Sequence, residues 1–337
     1  MAKDQHKRTY QEVLKELTAA NIKPYDQEAV FYDFTDWEDN PLKNVFEDFF
    51  NFGQEYLDRT DLGFDITPAR LYFSSNTTLN ALARKVDGYF LIEIHAGAIK
   101  WLHDFFMERE NRFTDEQLEP FKRITQLRNV SPGFFMVQLA TIFFLYHEVG
   151  HLIQRSGEKT DYMEFAVHKC TGDETRTRHM RELDADWNSA YCMAMHLIQF
   201  AEVGIDANAT IDFDLLSDIA SLGLAAIYMF FINRSDRDPA IYYEDECHPH
   251  PSVRLAYMVS FILDNLEENV GGKLDKAVIL NNAILISEIL MKEDGQNIVE
   301  LYSKNIYVNM DKIEVYIKEI MKNTESYPYL CKHILKS

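Results

Sequence analysis

Three features of this 337-residue sequence predict an α+β fold that is mainly helical, with a small β-sheet and one long apolar helix carrying the chemistry. The chain after Ser131 is built largely from apolar-periodic stretches separated by polar breaks, the pattern of packed helices. One earlier segment, Tyr89-Phe90-Leu91-Ile92-Glu93-Ile94-His95, is instead rich in strand formers and follows the turn signal Asp87-Gly88. The string His147-Glu148-Val149-Gly150-His151 closes an almost uninterrupted apolar stretch, so a helix there would project both histidines from one face.

In chain order, Met1 to Leu17 alternates charged and apolar residues on a helical period. From Asp26 to Asp65, twelve acidic residues face only Lys43 and Arg59 and are interleaved with aromatics such as Phe34, Phe46, Phe49 and Phe50. That mixture predicts amphipathic structure with a buried aromatic face and a solvated acidic one, the alternative being an acidic docking surface. Asn80-Ala81-Leu82-Ala83 precedes the strand, and Ala98–Glu110 reads as a helix. A charged connection, Arg109–Arg128, leads to Ser131-Pro132-Gly133 and the long apolar helix. Gly157–Thr177 reads as irregular, followed by helices at about His179–Phe200 and Leu215–Phe231, a loop over Asn233–His250 and a helix over Ser252–Asn265. Gly271-Gly272 marks a break, and Lys273 to Lys336 is mostly helical. The expected organisation is an N-terminal region (1–70), a catalytic core (71–265) and a helical C-terminal region (266–337). No Pro/Gly/Ser-rich linker divides them, so one continuous unit is expected.

With 47% hydrophobic residues the chain can bury a large core. Its formal charge of −20 repels phosphate backbones and argues against nucleic-acid binding. The first seventeen residues lack the apolar core of a signal peptide. Cys170, Cys192, Cys247 and Cys331 are widely spaced, which reads as reduced thiols in a cytoplasmic protein. The apolar runs Gly133–Tyr146 and Leu222–Ile232 are shorter than the ~20 residues that span a bilayer, so buried core helices and no membrane are expected.

His147 and His151, one helical turn apart, can reach one Zn²⁺ ion, and Glu148 between them can take a proton from a zinc-activated water. A catalytic zinc site wants a third protein ligand and an open position. Thirty-one residues after His151 stands Glu182-Leu183-Asp184-Ala185-Asp186 in a helical pattern. Glu182 is the candidate third ligand, and Asp186, one turn on, the candidate acceptor from the outer nitrogen of a zinc histidine. His168 is the rival ligand. In Cys247-His248-Pro249-His250-Pro251-Ser252-Val253-Arg254, an imidazole and a guanidinium at a helix start can donate to an oxyanion; His248 and Arg254 are the candidates, with His250 as the fallback.

These three elements in this order, H-E-x-x-H, E-x-x-A-D-x-x-A and H-P-x-x-x-x-R-[IL], resemble the gluzincin peptidases of the CaaX-protease type. Asn80, Ala81 and the strand carrying Ile92 and Ile94 resemble that group's substrate-binding edge, which would hold an extended peptide by strand addition. Members of that group are typically membrane-embedded. The chain is more similar to the soluble Lit family of bacterial phage-exclusion peptidases, in which a strand runs into an aromatic-rich helix, as Leu91–Ile94 runs on to Trp101, Phe105 and Phe106. The resemblance covers roughly residues 80 to 260. It implies a zinc endopeptidase acting on a protein or peptide, with elongation factor Tu as the family's substrate. The competing expectations are a catalytically silent zinc-containing regulator that binds peptide, and a zinc amidase acting on a small molecule.

Overall fold

The computed structural model describes residues 7–38, 40–59, 61–157, 161–163, 172–202, 211–234, 240–271, 274–292 and 297–334. Within them the chain is mainly helical with one small sheet. The first elements are α1 (Tyr10–Ala19), α2 (Pro41–Leu57), β1 (Ala69–Ser74), β2 (Ala81–Val86), β3 (Tyr89–His95) and α3 (Ala96–Met107). Then come α4 (Arg123–Arg128), α5 (Pro132–Gln154), β4 (Tyr162–Met163), α6 (Asp173–Glu202) and α7 (Phe213–Arg234). The last are α8 (Pro251–Val270), α9 (Lys276–Leu290), α10 (Ile298–Ile320) and α11 (Cys331–Ile334).

Two compact units divide the chain: a sheet unit (Met1–Asp104, His147–Ala166, Tyr329–Ser337) and a helical unit (Phe105–Tyr146, Val167–Pro328). These do not follow the expected boundaries at residues 70 and 265. The reason lies in packing: β1 pairs with β3, which draws the N-terminal residues into the sheet, and α9 packs on α7, which draws in the C-terminal region.

In the sheet unit the strand order is β1-β3-β2-β4, with β1 parallel to β3 and the other neighbours antiparallel. Asp87 and Gly88 turn β2 into β3 with φ of 49° and 81°, left-handed conformations that suit a two-residue hairpin. The aromatics of the acidic N-terminal stretch are buried as expected. Phe34 and Phe46 stack, and Tyr10, Phe46 and Phe49 gather around Phe73 of β1. Asp26, Glu28, Asp33, Asp36, Glu47 and Asp48 stay exposed. Helix α1 begins with a capping box in which Thr9 and Glu12 satisfy each other's backbone N–H groups. On the outer edge of β1 one side chain of α2 serves Ala69 and Leu71, while Phe73 donates to Tyr10 Oη and accepts from the Tyr32 N–H. The buried Gln54 amide donates to the Ala69 carbonyl (3.1 Å) and accepts from the Leu71 N–H (3.0 Å).

In the helical unit α7 is buried on nearly every face, from Leu215 to Ile232. Its Ser217 and Ser221 hydroxyls return to carbonyls one turn back, which removes their polar cost. Gly223 lets α7 approach closely, since a Cβ there would stand 3.0 Å from Leu197 Cδ2 and 3.3 Å from Leu139 Cδ1. Helix α8 starts at Pro251 behind an N-cap at His250 and ends at Gly271, whose φ of 81° is a left-handed stop.

Two expectations need correction. Helices α5 and α7 run 23 and 22 residues, long and apolar enough to cross a membrane, because each extends past its apolar run into polar residues. The most apolar windows are 78% and 89% buried inside the protein, the condition of core helices. Cys247 is disulfide-bonded, whereas Cys192 and Cys331 keep their thiols, so the cysteines are not all reduced.

Replacing Gln54 by Met should strand the Leu71 N–H at the sheet edge, the Ala69 carbonyl keeping the Arg70 guanidinium as its donor, and lower unfolding free energy by about 1–3 kcal/mol. Denaturant titration of the Gln54→Met protein, with the exposed neighbour change Glu55→Gln as control, measures this; equal midpoints would show the edge needs no closure.

Candidate metal centre

Helix α5 forms because the run from Phe134 to Tyr146 is apolar except for Gln138 and Thr141 and its first turn is braced from outside. The Glu110 carboxylate accepts from the Gly133 N–H at 2.7 Å, and Ser131 Oγ accepts from the Phe134 N–H. Its last turns carry His147, Glu148 and His151. His151 and Glu148 are buried, at 3% and 6% exposure. The Gln154 side-chain oxygen lies 3.2 Å from His151 Nδ1. An amide oxygen can only accept, so Nδ1 carries the proton and Nε2 keeps a lone pair. That Nε2 lies 3.2 Å from His147 Nε2. Two donors about 2.05 Å from one ion at a tetrahedral angle stand roughly 3.3 Å apart, so the pair has the separation of two ligands of one zinc.

Helix α6 supplies the acids. In the helical unit the buried Asn188 amide donates to the Tyr146 carbonyl at 2.7 Å, and Ser189 Oγ donates to the Phe143 carbonyl at 3.2 Å. These bonds pair rising numbers on α5 with falling numbers on α6, an antiparallel packing that runs α6 from Asn188 back toward Glu182 as α5 runs on from Tyr146. Glu182 is 5% exposed, and Asp184 and Asp186 are fully buried. The ligand atoms of His147, His151 and Glu182 all lie within 4.8 Å of one another. Two imidazoles and one carboxylate are a donor set that zinc accepts in open three-ligand sites, so these residues can hold a metal ion.

The third segment closes on the acids from α8. Arg254 grips Asp186 with two bonds, Nε to Oδ2 at 2.8 Å and Nη2 to Oδ1 at 2.7 Å. Its Nη1 stands 3.3 Å from Glu182 Oε2, and the guanidinium lies over the Phe231 ring. His248 Nε2 stands 3.6 Å from Glu182 Oε1, with 43% of the side chain open to solvent. His250 is 2% exposed and its Nδ1 accepts from the Ser252 N–H at 3.0 Å. Burial together with the Asp184 and Asp186 carboxylates pushes the Tyr257 phenol well above its ordinary pKa. One turn before Glu182, burial lowers the pKa of His179, which bridges Tyr316 Oη (2.5 Å) and the Glu246 carbonyl (2.8 Å).

The structure brings together His147, His151 and Glu182, and sets His248 and Arg254 against Glu182. It revises several roles. Arg254 aims three of its N–H bonds at carboxylates, two at Asp186 and one at Glu182. Asp186 has a guanidinium on both oxygens, and the observed partner of the His151 outer nitrogen is Gln154. Gln154 escaped the sequence reading although it sits three residues after His151 on the same helix, the spacing at which side chains meet. His250 caps α8: its Nδ1 accepts from the Ser252 N–H, which leaves the ring proton on Nε2. Ile92 and Ile94 lie on β3, a central strand paired on both sides, so they offer no edge to a peptide. Asn80 already accepts from the His95 N–H, and β4 covers β2 only at Arg84 and Lys85, which leaves the stretch from Ala81 to Ala83 as the open edge among the described residues. His168 lies outside the described residues.

No protein-family model, curated protein or solved structure matches the chain.

Arg254→Met should leave the Asp186 carboxylate buried and uncompensated, at a cost of about 3–5 kcal/mol in unfolding free energy. The double variant Asp186→Asn, Arg254→Met should recover much of that loss. Denaturant midpoints of the two proteins decide it: a single variant no weaker than one altered at the exposed Lys318 would show that the pair carries no structural burden.

Proposed function

We propose that the protein is a zinc-dependent endopeptidase of gluzincin type, similar to the Lit phage-exclusion peptidases, hydrolysing a peptide bond in a protein substrate. The observation that carries this reading is the convergence of His147, His151 and Glu182 on one point, with Glu148 buried between the two histidines. A purely structural metal site has no use for that glutamate. Zinc held there would polarise the scissile carbonyl and make water acidic enough to be used near neutral pH.

The chain's own residues do the rest. Glu148 takes the proton of the attacking water and returns it to the leaving amine. Gln154 fixes the tautomer of His151, so its Nε2 presents a lone pair. Arg254 holds Glu182 in place through Nη1 while anchored on Asp186. His248, half open to solvent beside Glu182, would donate to the oxyanion. Among the described residues the stretch from Ala81 to Ala83 has no strand on its outer side, an edge that would suit an extended protein or peptide substrate.

Alanine at His147, His151 or Glu182 should reduce bound zinc, whereas Glu148→Gln should keep it and lose hydrolysis by about 100–10,000-fold. Atomic emission on purified protein, with new peptide termini sequenced after incubation with cell lysate or elongation factor Tu, tests both. Full zinc in Glu182→Ala, or undiminished cleavage by Glu148→Gln, would sink the assignment. His248→Ala should lower kcat about 100–1,000-fold with zinc content unchanged; a fall in KM-related affinity alone would make it a substrate contact instead.

A further inference from the structure

The segment that delivers His248 has no regular secondary structure and passes through three consecutive exposed carboxylates, Glu244, Asp245 and Glu246. Their mutual repulsion works against a fixed course. Two of the segment's backbone carbonyls are nonetheless engaged from inside the helical unit. His179, on α6 and fully buried, places Nε2 2.8 Å from the Glu246 carbonyl. Tyr316, on α10, places its hydroxyl 2.5 Å from His179 Nδ1 and 2.6 Å from the Tyr243 carbonyl, with its ring edge-on to that of Tyr243. On the outside Arg176 pairs with Glu244, an exposed ion pair of the kind worth little.

The protons can be counted. A carbonyl only accepts, so His179 Nε2 carries a proton. Burial raises the pKa of the Tyr316 phenol, which keeps its own proton, and lowers that of the His179 imidazole, which favours the neutral ring. In that ring Nδ1 accepts from the Tyr316 hydroxyl, so Tyr316 fixes the tautomer that donates to Glu246. A second proton on Nδ1 would turn the hydroxyl to the Tyr243 carbonyl and leave the Glu246 bond in place. In either state Glu246 is held.

We propose that His179, with its tautomer set by Tyr316, is the positioning residue that places His248 beside Glu182; the inference rests on the peptidase reading above, in which His248 meets the oxyanion. His179 and Glu182 stand three residues apart on one helix, so a carbonyl fixed on the first keeps a fixed distance from the second. His248 follows Glu246 by two residues and is fixed on its other side by Pro249 and the His250 cap of α8. Between those two points its imidazole comes to 3.6 Å from Glu182 Oε1. Both ring nitrogens of His179 are engaged away from Glu182, so its part is played through the segment it holds.

The test uses the full chain with its Cys247 disulfide intact, so that this covalent tether is common to every protein compared. His179→Leu and Tyr316→Phe should lower kcat by about 10–100-fold, the cost of a misplaced group, with KM and zinc content unchanged. His179→Gln, whose amide can still donate to the Glu246 carbonyl, should recover most of that loss. In a His248→Ala background His179→Leu should cost nothing further, since the residue it positions is gone. Undiminished kcat in both single variants overturns the proposal, as does a His179→Leu loss of equal size with and without His248. Amide ¹⁵N relaxation of residues 244–248 reads the same tether without any substrate, and the segment should gain fast motion in both variants. If the unaltered protein cleaves no peptide, the peptidase reading fails and the tether is judged on relaxation alone; unchanged relaxation in both variants overturns it.

Discussion

A fully buried carboxylate cannot stay charged without a cation against it, and around that constraint the candidate site is organised. Asp186 is such a group, and the cation is Arg254, sixty-eight residues later at the start of α8. Because both guanidinium bonds are needed, the first turn of α8 has one admissible position. Pro251 and the His250 cap fix where that turn begins, and the residues before it, His248 included, follow. The third guanidinium nitrogen then falls on Glu182, so the same ion pair that satisfies Asp186 orients the carboxylate offered to a metal. On α5 the equivalent task falls to Gln154, a neutral side chain that sets a tautomer at little electrostatic cost.

Much of this was legible in the sequence, for identifiable reasons. The histidines of α5 and the acids of α6 obey helical spacing, and spacing survives folding unchanged. The β2–β3 hairpin was legible in part, because Asp87-Gly88 admits few conformations other than the observed turn. The two-residue β4 was not, since so short a strand has no periodicity; it exists only because β2 offers Arg84 and Lys85 as partners. The beginning of α6 at Asp173 was missed because Asp173–Arg178 is polar throughout and helical without burying a continuous face.

Roles were harder to read than positions. A sequence shows that Arg254 and His250 carry donors and acceptors; it does not show which of those the fold has already used. Arg254 is engaged by Asp186 and Glu182, and the His250 Nδ1 by the Ser252 N–H. Ile92 and Ile94 illustrate the same limit in the backbone, since strand composition does not reveal whether both edges are paired. Helix length failed in the opposite direction. Hydropathy ends where polar residues begin, whereas the hydrogen-bond ladder of α5 continues through His147 and His151 to Gln154 because those side chains find partners.

The C-terminal α11 returns to the motif helix, where the buried Cys331 thiol donates to the Gly150 carbonyl at 3.5 Å and the Tyr329 ring lies against Gly157. The two ends of that contact are 181 residues apart in the chain. In vectorial synthesis the His-Glu-x-x-His helix is therefore made long before the segment that packs on its end, and the stretch Val167–Pro328 of the helical unit emerges in between. Contacts of such wide separation form late, because the loop they close must first be ordered. The nascent chain thus carries its histidines through most of translation without their last packing partner, and the end of the motif helix acquires its final environment only when residues 329–334 have left the ribosome.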